Sequence, residues 1–243
     1  MTAEPRPAFY ALSPGGWRDY VTVLHPPYTL WHLSYVAIGA CLAPRLAEGR
    51  LAWTAAAFAL AVGIGAHALD ELHGRPLQTR IPGRRLVALA ALSIAGAAAI
   101  GVWSAIAWTG WLLPFVVAGA FLVCAYNLEW LGGRFHTDLW FGLAWGAFPL
   151  LTAYVAQTER LRVEAVLAAA FATLSSLAQR RLSTQVRMLR RRVAFVSGTI
   201  EFHDGSREPV TAATLAAAPE AALRLLSLAL VALAAALLVL RLA

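Results

Sequence analysis

The chain has 243 residues, of which 60% are hydrophobic and only 14% are charged, and its mean hydropathy is +0.64. A soluble domain carries about a quarter charged residues, so this composition excludes an ordinary water-soluble globule. The formal net charge is +7, from 20 basic residues, all of them arginine, against 13 acidic ones. Such an excess is typical of nucleic-acid binding or of basic cytoplasmic loops in membrane proteins, and the positions of the arginines distinguish the two.

Seven apolar runs predict seven membrane-spanning helices, because a bilayer core about 30 Å thick requires roughly 20 apolar residues per helix. The runs are residues 28–46, 51–69, 86–108, 111–126, 139–156, 163–178 and 221–242. The sixth run is short, but its helical pattern continues past Gln179 to Arg192, which indicates a helix that leaves the membrane with polar residues. The first 27 residues contain no apolar run, so we expect no cleaved signal peptide. We predict an all-α transmembrane bundle forming one integral membrane domain over residues 1–243.

The arginines predict the orientation, because cytoplasmic loops next to spans are enriched in basic residues. Fourteen fall on one predicted side, at positions 6, 18, 75, 80, 84, 85, 134, 180, 181, 187, 190, 191, 192 and 207. Five fall on the other side, at positions 45, 50, 160, 162 and 241, while Arg224 lies near the start of the last span. We therefore expect a prokaryotic cell-membrane protein with a cytoplasmic N-terminus and an external C-terminus. The arginines border spans without interleaved aromatic residues, so we expect no nucleic-acid partner.

The longest polar segment, residues 197–219, predicts a small cytoplasmic hairpin-like loop. The stretch from His203 to Ser206 contains an Asp-Gly pair between two short extended runs, which is typical of a β-hairpin. Nothing in this segment has the pattern of a catalytic site.

The first of three polar clusters ends the second span, in the stretch GIGAHALDELHGRPL. His67, Asp70 and Glu71 have the i, i+3 and i+4 spacing of one helix face. An acid at the bilayer centre costs about 2.5 to 3.5 kcal/mol, so two adjacent acids here indicate a function. Carboxylates at this position suit Mg²⁺, which also binds phosphate oxygens, and Arg75 would hold the phosphate. Alternatively, both acids pair with Arg75 or Arg80 at the headgroups and His67 makes only a helix contact.

The second cluster lies between the fourth and fifth spans and contains Tyr126, Asn127, Glu129, His136 and Asp138. Tyr126 and Asn127 occupy positions where the span should still be apolar, which favours contact with a headgroup or a phosphate. A plain interfacial loop explains the same pattern equally well.

The third cluster continues the sixth helix. Ser176, Gln179, Ser183 and Arg187 recur at three- and four-residue spacing and form a polar stripe, with Arg180 beside it. Arginines and hydroxyls in this arrangement suit a diphosphate or an anionic headgroup. The run of arginines is equally typical of a topology determinant.

Together these residues resemble the UbiA-type polyprenyl transferase superfamily over roughly residues 25–192. The stretch HPPYTLWHLSYVAIGACLAP is similar to the family's first span, and Arg75-Pro76-Leu77 is similar to the end of its first polar motif. Tyr126 is similar to the tyrosine that ends the family's fourth span, and DLWFGLAWGAFPLLTAYVAQ to its Gly-rich fifth span.

The resemblance implies Mg²⁺-dependent transfer of a prenyl group from a prenyl diphosphate to an acceptor. It implies that Asp70 and Glu71 are catalytic metal ligands and that Arg75 is catalytic. His67, Tyr126, Asn127, Gln179, Arg180 and Arg187 would bind the substrate.

The chain departs from the family pattern after the sixth span, where the family has a second Asp-rich motif. Here the stretch QRRLSTQVRMLRRR contains no acid. The alternative function is therefore a non-catalytic membrane protein of the same scaffold that binds an isoprenoid or anionic lipid or partners a membrane enzyme. A small transporter is disfavoured because the polar residues gather at one end of the spans instead of the midplane.

Overall fold

The computed structural model describes residues 6–243, and most of this part is helical. Its principal helices are α1 (Trp17–Val23), α2 (Pro26–Cys41), α3 (Glu48–Leu72), α4 (Gly83–Ala107), α5 (Gly110–Asn127), α6 (Asp138–Thr158), α7 (Val163–Arg191) and α8 (Ala212–Leu242). A turn at Trp130–Gly133 separates α5 from α6. Two short antiparallel strands, β1 (Thr199–Glu201) and β2 (Arg207–Pro209), form a hairpin around the Asp-Gly turn.

Five helices in residues 6–243 are long and apolar enough to cross a membrane, namely α3, α4, α5, α6 and α8. Their outer faces expose large apolar side chains such as Leu92, Ile106 and Leu228. Exposure of such a continuous apolar surface is unfavourable in water and favourable in contact with lipid. The chain is therefore an all-α integral membrane protein. The count of seven spans stays a prediction, because α2 has only 16 residues and the second half of α7 is rich in arginine.

The connecting segments meet in two groups, one at each end of the bundle. At one end, the Gln157 side chain bonds to the backbone of Ala47, and Arg50 lies 3.4 Å from the carboxylate of Glu159. Arg241, near the end of α8, donates to the carbonyl of Pro44 at the same end. We call this the Arg50 end.

The opposite end gathers the N-terminal segment and the loops after α3, α5 and α7. The buried Asp19 carboxylate accepts from the backbone N–H groups of Gly15 and Arg80, which ties α1 to the loop after α3. Arg190 in α7 forms a bidentate ion pair with Glu220 in α8. We call this the Asp70 end; α2 runs from it to the Arg50 end, and α7 runs back from the Arg50 end to it.

Helix α2 forms the centre of the bundle and packs against α6 and α8. Its Trp31 and Tyr35 are fully buried, and each has a polar group that needs a partner in this apolar setting. Trp31 donates its indole N–H to the Tyr35 hydroxyl at 2.7 Å, and that hydroxyl donates to the Ala172 carbonyl of α7. Helices α6 and α7 approach closely at Gly146, where a Cβ atom would overlap the carbonyl of Ala172.

Two helices contain a π-helical segment, in which the backbone turns are wider than in an α-helix. The first, Ala59–Ala66, lies in α3 directly before His67, and the second, Leu143–Ala147, lies in α6. Such segments are rare in helices and are frequently found at functional sites. Both segments border the internal cavities described below.

Candidate functional site

A cavity of about 120 Å³, which we call the polar cavity, lies at the Asp70 end. One water molecule needs about 15 Å³ of such space, so this volume admits a ligand group as well as solvent. The wall is built from the N-terminal segment and from α2, α3, α5, α6 and α7. Side chains far apart in sequence therefore meet at this point.

Six of the residues predicted for the site line the polar cavity. They are His67, Asp70, Tyr126, Asn127, Gln179 and Arg187. Gln179 and Asn127 are buried, whereas Arg187 is exposed and lies at the cavity mouth. The end of α3, the end of α5 and the polar stripe of α7 thus converge, although more than a hundred residues separate His67 from Gln179 in the sequence.

Glu71 and Arg75 lie outside the cavity lining and hold the loop after α3. Glu71 is fully buried, and its carboxylate accepts from the backbone N–H of Leu77 at 2.9 Å and from both the N–H and the hydroxyl of Thr79 at 2.8 Å. The Arg75 guanidinium donates to the carbonyls of Thr79 and Ile81. Adjacent residues of an α-helix point about 100° apart, so Asp70 and Glu71 face different surroundings.

Arg180 also lies outside the cavity lining and contacts Tyr126, which lines it. Its Nε donates to the Asp138 carboxylate at 2.6 Å, and its terminal nitrogen donates to the Tyr126 hydroxyl. The guanidinium carbon lies 5.1 Å from the ring centroid of Phe141, in cation–π contact. Arg180 therefore orients one wall of the cavity, and its charge is matched by Asp138.

The donor set does not fit a Mg²⁺ ion held jointly by Asp70 and Glu71. Both Glu71 oxygens already accept hydrogen bonds from the loop, so a metal would have to displace them. In residues 6–243, no group of three or more His, Cys, Asp or Glu side chains has the proximity needed to hold a metal ion. Asp70 is the one carboxylate that lines the polar cavity in this part of the chain.

Several cavity residues were absent from the predicted site, namely Tyr10, His25, Tyr28, His32, His136, Ser183 and Arg191. Tyr10 belongs to a segment before the first predicted span, where no motif marks it. This segment is fixed over the cavity by Arg191, which donates from Nε to the Pro7 carbonyl at 3.1 Å, and by Arg224, whose guanidinium lies over the ring of Phe9. Ser183 already belongs to the predicted polar stripe, and Arg191 continues its four-residue spacing beyond Arg187, so extending the stripe by one turn would have included both.

His25 lies directly before α2 and contacts two other residues of the cavity wall. Its Nδ1 lies 2.7 Å from the Tyr10 hydroxyl, and its ring stacks on His67 with 4.1 Å between the ring centroids. Burial, together with the neighbouring His67 and Arg191, lowers the pKa of His25 well below 6.5. Burial also raises the pKa of the Tyr10 hydroxyl well above its usual range. Both groups are therefore neutral at pH 7 and act as hydrogen-bonding groups.

The charged groups in the cavity wall favour an anion. Arg187 and Arg191 supply two positive charges, and Asp70 supplies one negative charge. The imidazole of His25 adds no charge at pH 7. The resulting excess of one positive charge attracts an anionic group, and guanidinium groups bind phosphate oxygens with two parallel hydrogen bonds.

A second cavity, of about 100 Å³, adjoins the polar one and has apolar walls. We call it the apolar cavity. It lies between α3, α4, α5 and α6, and Val62 and Trp145 line both cavities. The two π-helical segments contribute these shared residues. A ligand with a polar head and an apolar chain could therefore occupy both spaces at once.

No protein-family model, characterised protein or solved structure matches the chain.

Proposed function

We propose that the chain is a membrane-embedded prenyltransferase related to the UbiA-type superfamily, which transfers a prenyl group from a prenyl diphosphate to an acceptor. The observation that carries the proposal is the contact between the two cavities. A head group of two phosphates would occupy the arginine-lined polar cavity, and an isoprenoid chain would occupy the apolar cavity. The shared residues Val62 and Trp145 would surround the first isoprene unit.

The wall near these shared residues suits a developing allylic cation. Trp145 packs edge-to-face on Tyr126 with 5.5 Å between centroids, and Tyr126 stacks on His136 at 4.4 Å. Aromatic faces attract a cation, while the arginines at the other side of the cavity stabilise the departing diphosphate. This arrangement separates the two charges that form when the carbon–oxygen bond breaks.

The proposal includes seven spans with the Asp70 end in the cytoplasm. Helices α2 and α7 connect the same two ends of the bundle as the five apolar helices do, and the basic loops meet at the Asp70 end. The positive-inside rule then gives a cytoplasmic N-terminus and an external C-terminus. A soluble prenyl diphosphate would enter from the side where it is made.

The decisive experiment is release of pyrophosphate by the purified full-length protein from prenyl diphosphates of two or more chain lengths, in lipid nanodiscs with an extract of membrane-soluble acceptors. We expect release that depends on the acceptor extract and that is lost in the Arg187→Gln, Arg191→Gln double variant. The Arg192→Gln variant is a matched control, because it removes an exposed charge next to the cavity residues. Absence of release at every chain length would refute the transferase.

The alternative is a membrane protein that binds an isoprenoid or anionic lipid without catalysis, possessing the same two cavities. It is favoured by the acid-free stretch between Gln179 and Arg192. It is also favoured by the hydrogen bonds from Leu77 and Thr79 that already occupy both carboxylate oxygens of Glu71. Under this alternative, prenyl diphosphate binds and protects the protein from thermal unfolding, but no pyrophosphate appears with any acceptor.

A further inference from the structure

We propose that the polar cavity binds the diphosphate group of its ligand directly through Arg187 and Arg191, without a divalent cation between protein and phosphate. This inference rests on the proposed function, since it concerns how the same cavity holds the head group. It differs from the Mg²⁺-bridged binding that the first polar cluster predicts.

The carboxylates available in the cavity do not support a metal bridge. A Mg²⁺ ion bridging protein and phosphate takes one or two carboxylates from the protein. Glu71 is fully buried and accepts three hydrogen bonds that close the loop over Leu77 and Thr79. Asp70 remains as a single carboxylate, and no group of three possible ligands occurs near it in the described residues.

The cavity contains positive charge that the protein leaves unmatched. Arg187 and Arg191 lie four residues apart on α7, so they project from the same helix face, together with Gln179 and Ser183. Within residues 6–243 neither of them forms an ion pair, whereas Arg180 pairs with Asp138 and Arg190 with Glu220. Carboxylates therefore neutralise Arg180 and Arg190, which face away from the cavity, but not the two arginines of α7 that line it.

Uncharged donors complete the arrangement. His25 Nε2 is buried without a partner in the described part of the chain, and in the tautomer whose Nδ1 accepts from the Tyr10 hydroxyl this atom carries the ring hydrogen. The Gln179 amide oxygen is also buried without a partner there. A half-turn of this amide exchanges its oxygen for N–H groups, so both side chains can donate to phosphate oxygens.

The Asp70→Asn substitution should change the affinity for phosphate in opposite directions under the two modes of binding. If a metal bridges Asp70 and the phosphate, the Asp70→Asn substitution removes a ligand and weakens binding. If the arginines bind the phosphate directly, the same substitution removes a negative charge that repels the anion and leaves binding equal or tighter. The amide is nearly the same size as the carboxylate, so the comparison changes charge more than shape.

The test is isothermal titration of the purified full-length protein with inorganic pyrophosphate, in EDTA and, separately, in excess Mg²⁺. We expect binding in EDTA that is at least as tight as in Mg²⁺, and equal or tighter binding by Asp70→Asn. Arg187→Gln and Arg191→Gln should each raise Kd about tenfold or more, the effect of one lost charge-assisted hydrogen bond. Arg192→Gln is the control. Each variant must elute as a single species and keep its thermal midpoint within a few degrees before titration.

Binding that requires Mg²⁺ and that is lost in Asp70→Asn would overturn the direct mode while leaving the transferase proposal intact. Absence of binding in both buffers would overturn it as well. The converse result, tight pyrophosphate binding in EDTA with no pyrophosphate release from any prenyl diphosphate, would support the direct mode and refute the transferase. The two proposals therefore fail in different experiments.

Discussion

Replacing Glu71 should destabilise the protein far more than replacing its neighbour Asp70. Glu71 has no exposed surface and accepts three hydrogen bonds from Leu77 and Thr79, so its removal leaves three buried donors without an acceptor. Asp70 is only half-buried and faces the polar cavity, and its carboxylate accepts no hydrogen bond from another group in residues 6–243. The two adjacent acids therefore have separate roles, one in stability and the other in the cavity.

The magnitude follows from the three contacts of Glu71. A hydrogen bond to a charged group contributes about 1.5 to 3 kcal/mol, and partial hydration of the displaced loop reduces the sum of three. We expect Glu71→Ala to cost about 3 to 5 kcal/mol and Glu71→Gln, which keeps one oxygen, about 2 to 3 kcal/mol. Asp70→Asn should cost about 1 kcal/mol or less.

The assay is thermal unfolding of each purified variant in the same detergent, followed by helical circular dichroism. For a chain of this size about 2 to 4 °C of Tm corresponds to 1 kcal/mol, so Glu71→Ala should lower Tm by about 6 to 20 °C. Glu71 variants as stable as the parent protein, or Asp70→Asn as unstable as Glu71→Ala, would refute the assignment of roles.

Three further predictions concern binding of the isoprenoid chain, the pH dependence of stability and the membrane topology. Ala97→Trp places a large ring in the apolar cavity. It should weaken binding of long-chain prenyl diphosphates about tenfold while leaving pyrophosphate binding unchanged. Equal weakening of both ligands would contradict the assignment of the apolar cavity to the isoprenoid chain. The pKa of His25 is lowered below 6.5, so the unfolded chain binds more protons than the folded protein, and stability should fall as pH drops below about 6.5. Tm measured between pH 7.5 and 5 should decline less steeply in His25→Gln, and an unchanged slope would exclude His25 as a source. A membrane-impermeant maleimide added to intact cells should label Arg160→Cys but not Ser206→Cys, whereas labelling of Ser206→Cys would reverse the orientation.

The five apolar helices could be predicted from the sequence because their signal is composition over some twenty residues. The runs at 86–108 and 221–242 lie within α4 and α8 apart from one residue, although α8 begins nine residues earlier, at Ala212. That extension ends in Pro219 and Glu220, which interrupt the apolar run, and Glu220 is held in the helix by its pairing with Arg190. The hairpin also lies at the Asp-Gly turn, because two residues with strict backbone requirements determine it.

The site was harder to predict because it depends on which way side chains point. The stripe of α7 was recognisable, since four-residue spacing fixes a helix face, and Gln179 and Arg187 line the cavity. Arg180 carries the same charge as Arg187 but lies a different angle around the helix, against Asp138. Tyr10 reaches the cavity through contacts between distant segments, which no local pattern in the sequence encodes.

The π-helical segment Ala59–Ala66 affects which acid faces the polar cavity. A turn of π-helix accommodates one more residue than a turn of α-helix, and one residue corresponds to a rotation of about 100°. Deleting a single residue in this segment should therefore turn His67–Leu72 by that angle and change the carboxylate presented to the cavity. The chemistry of the site thus depends on how many residues precede the acids in the helix, as well as on the acids themselves.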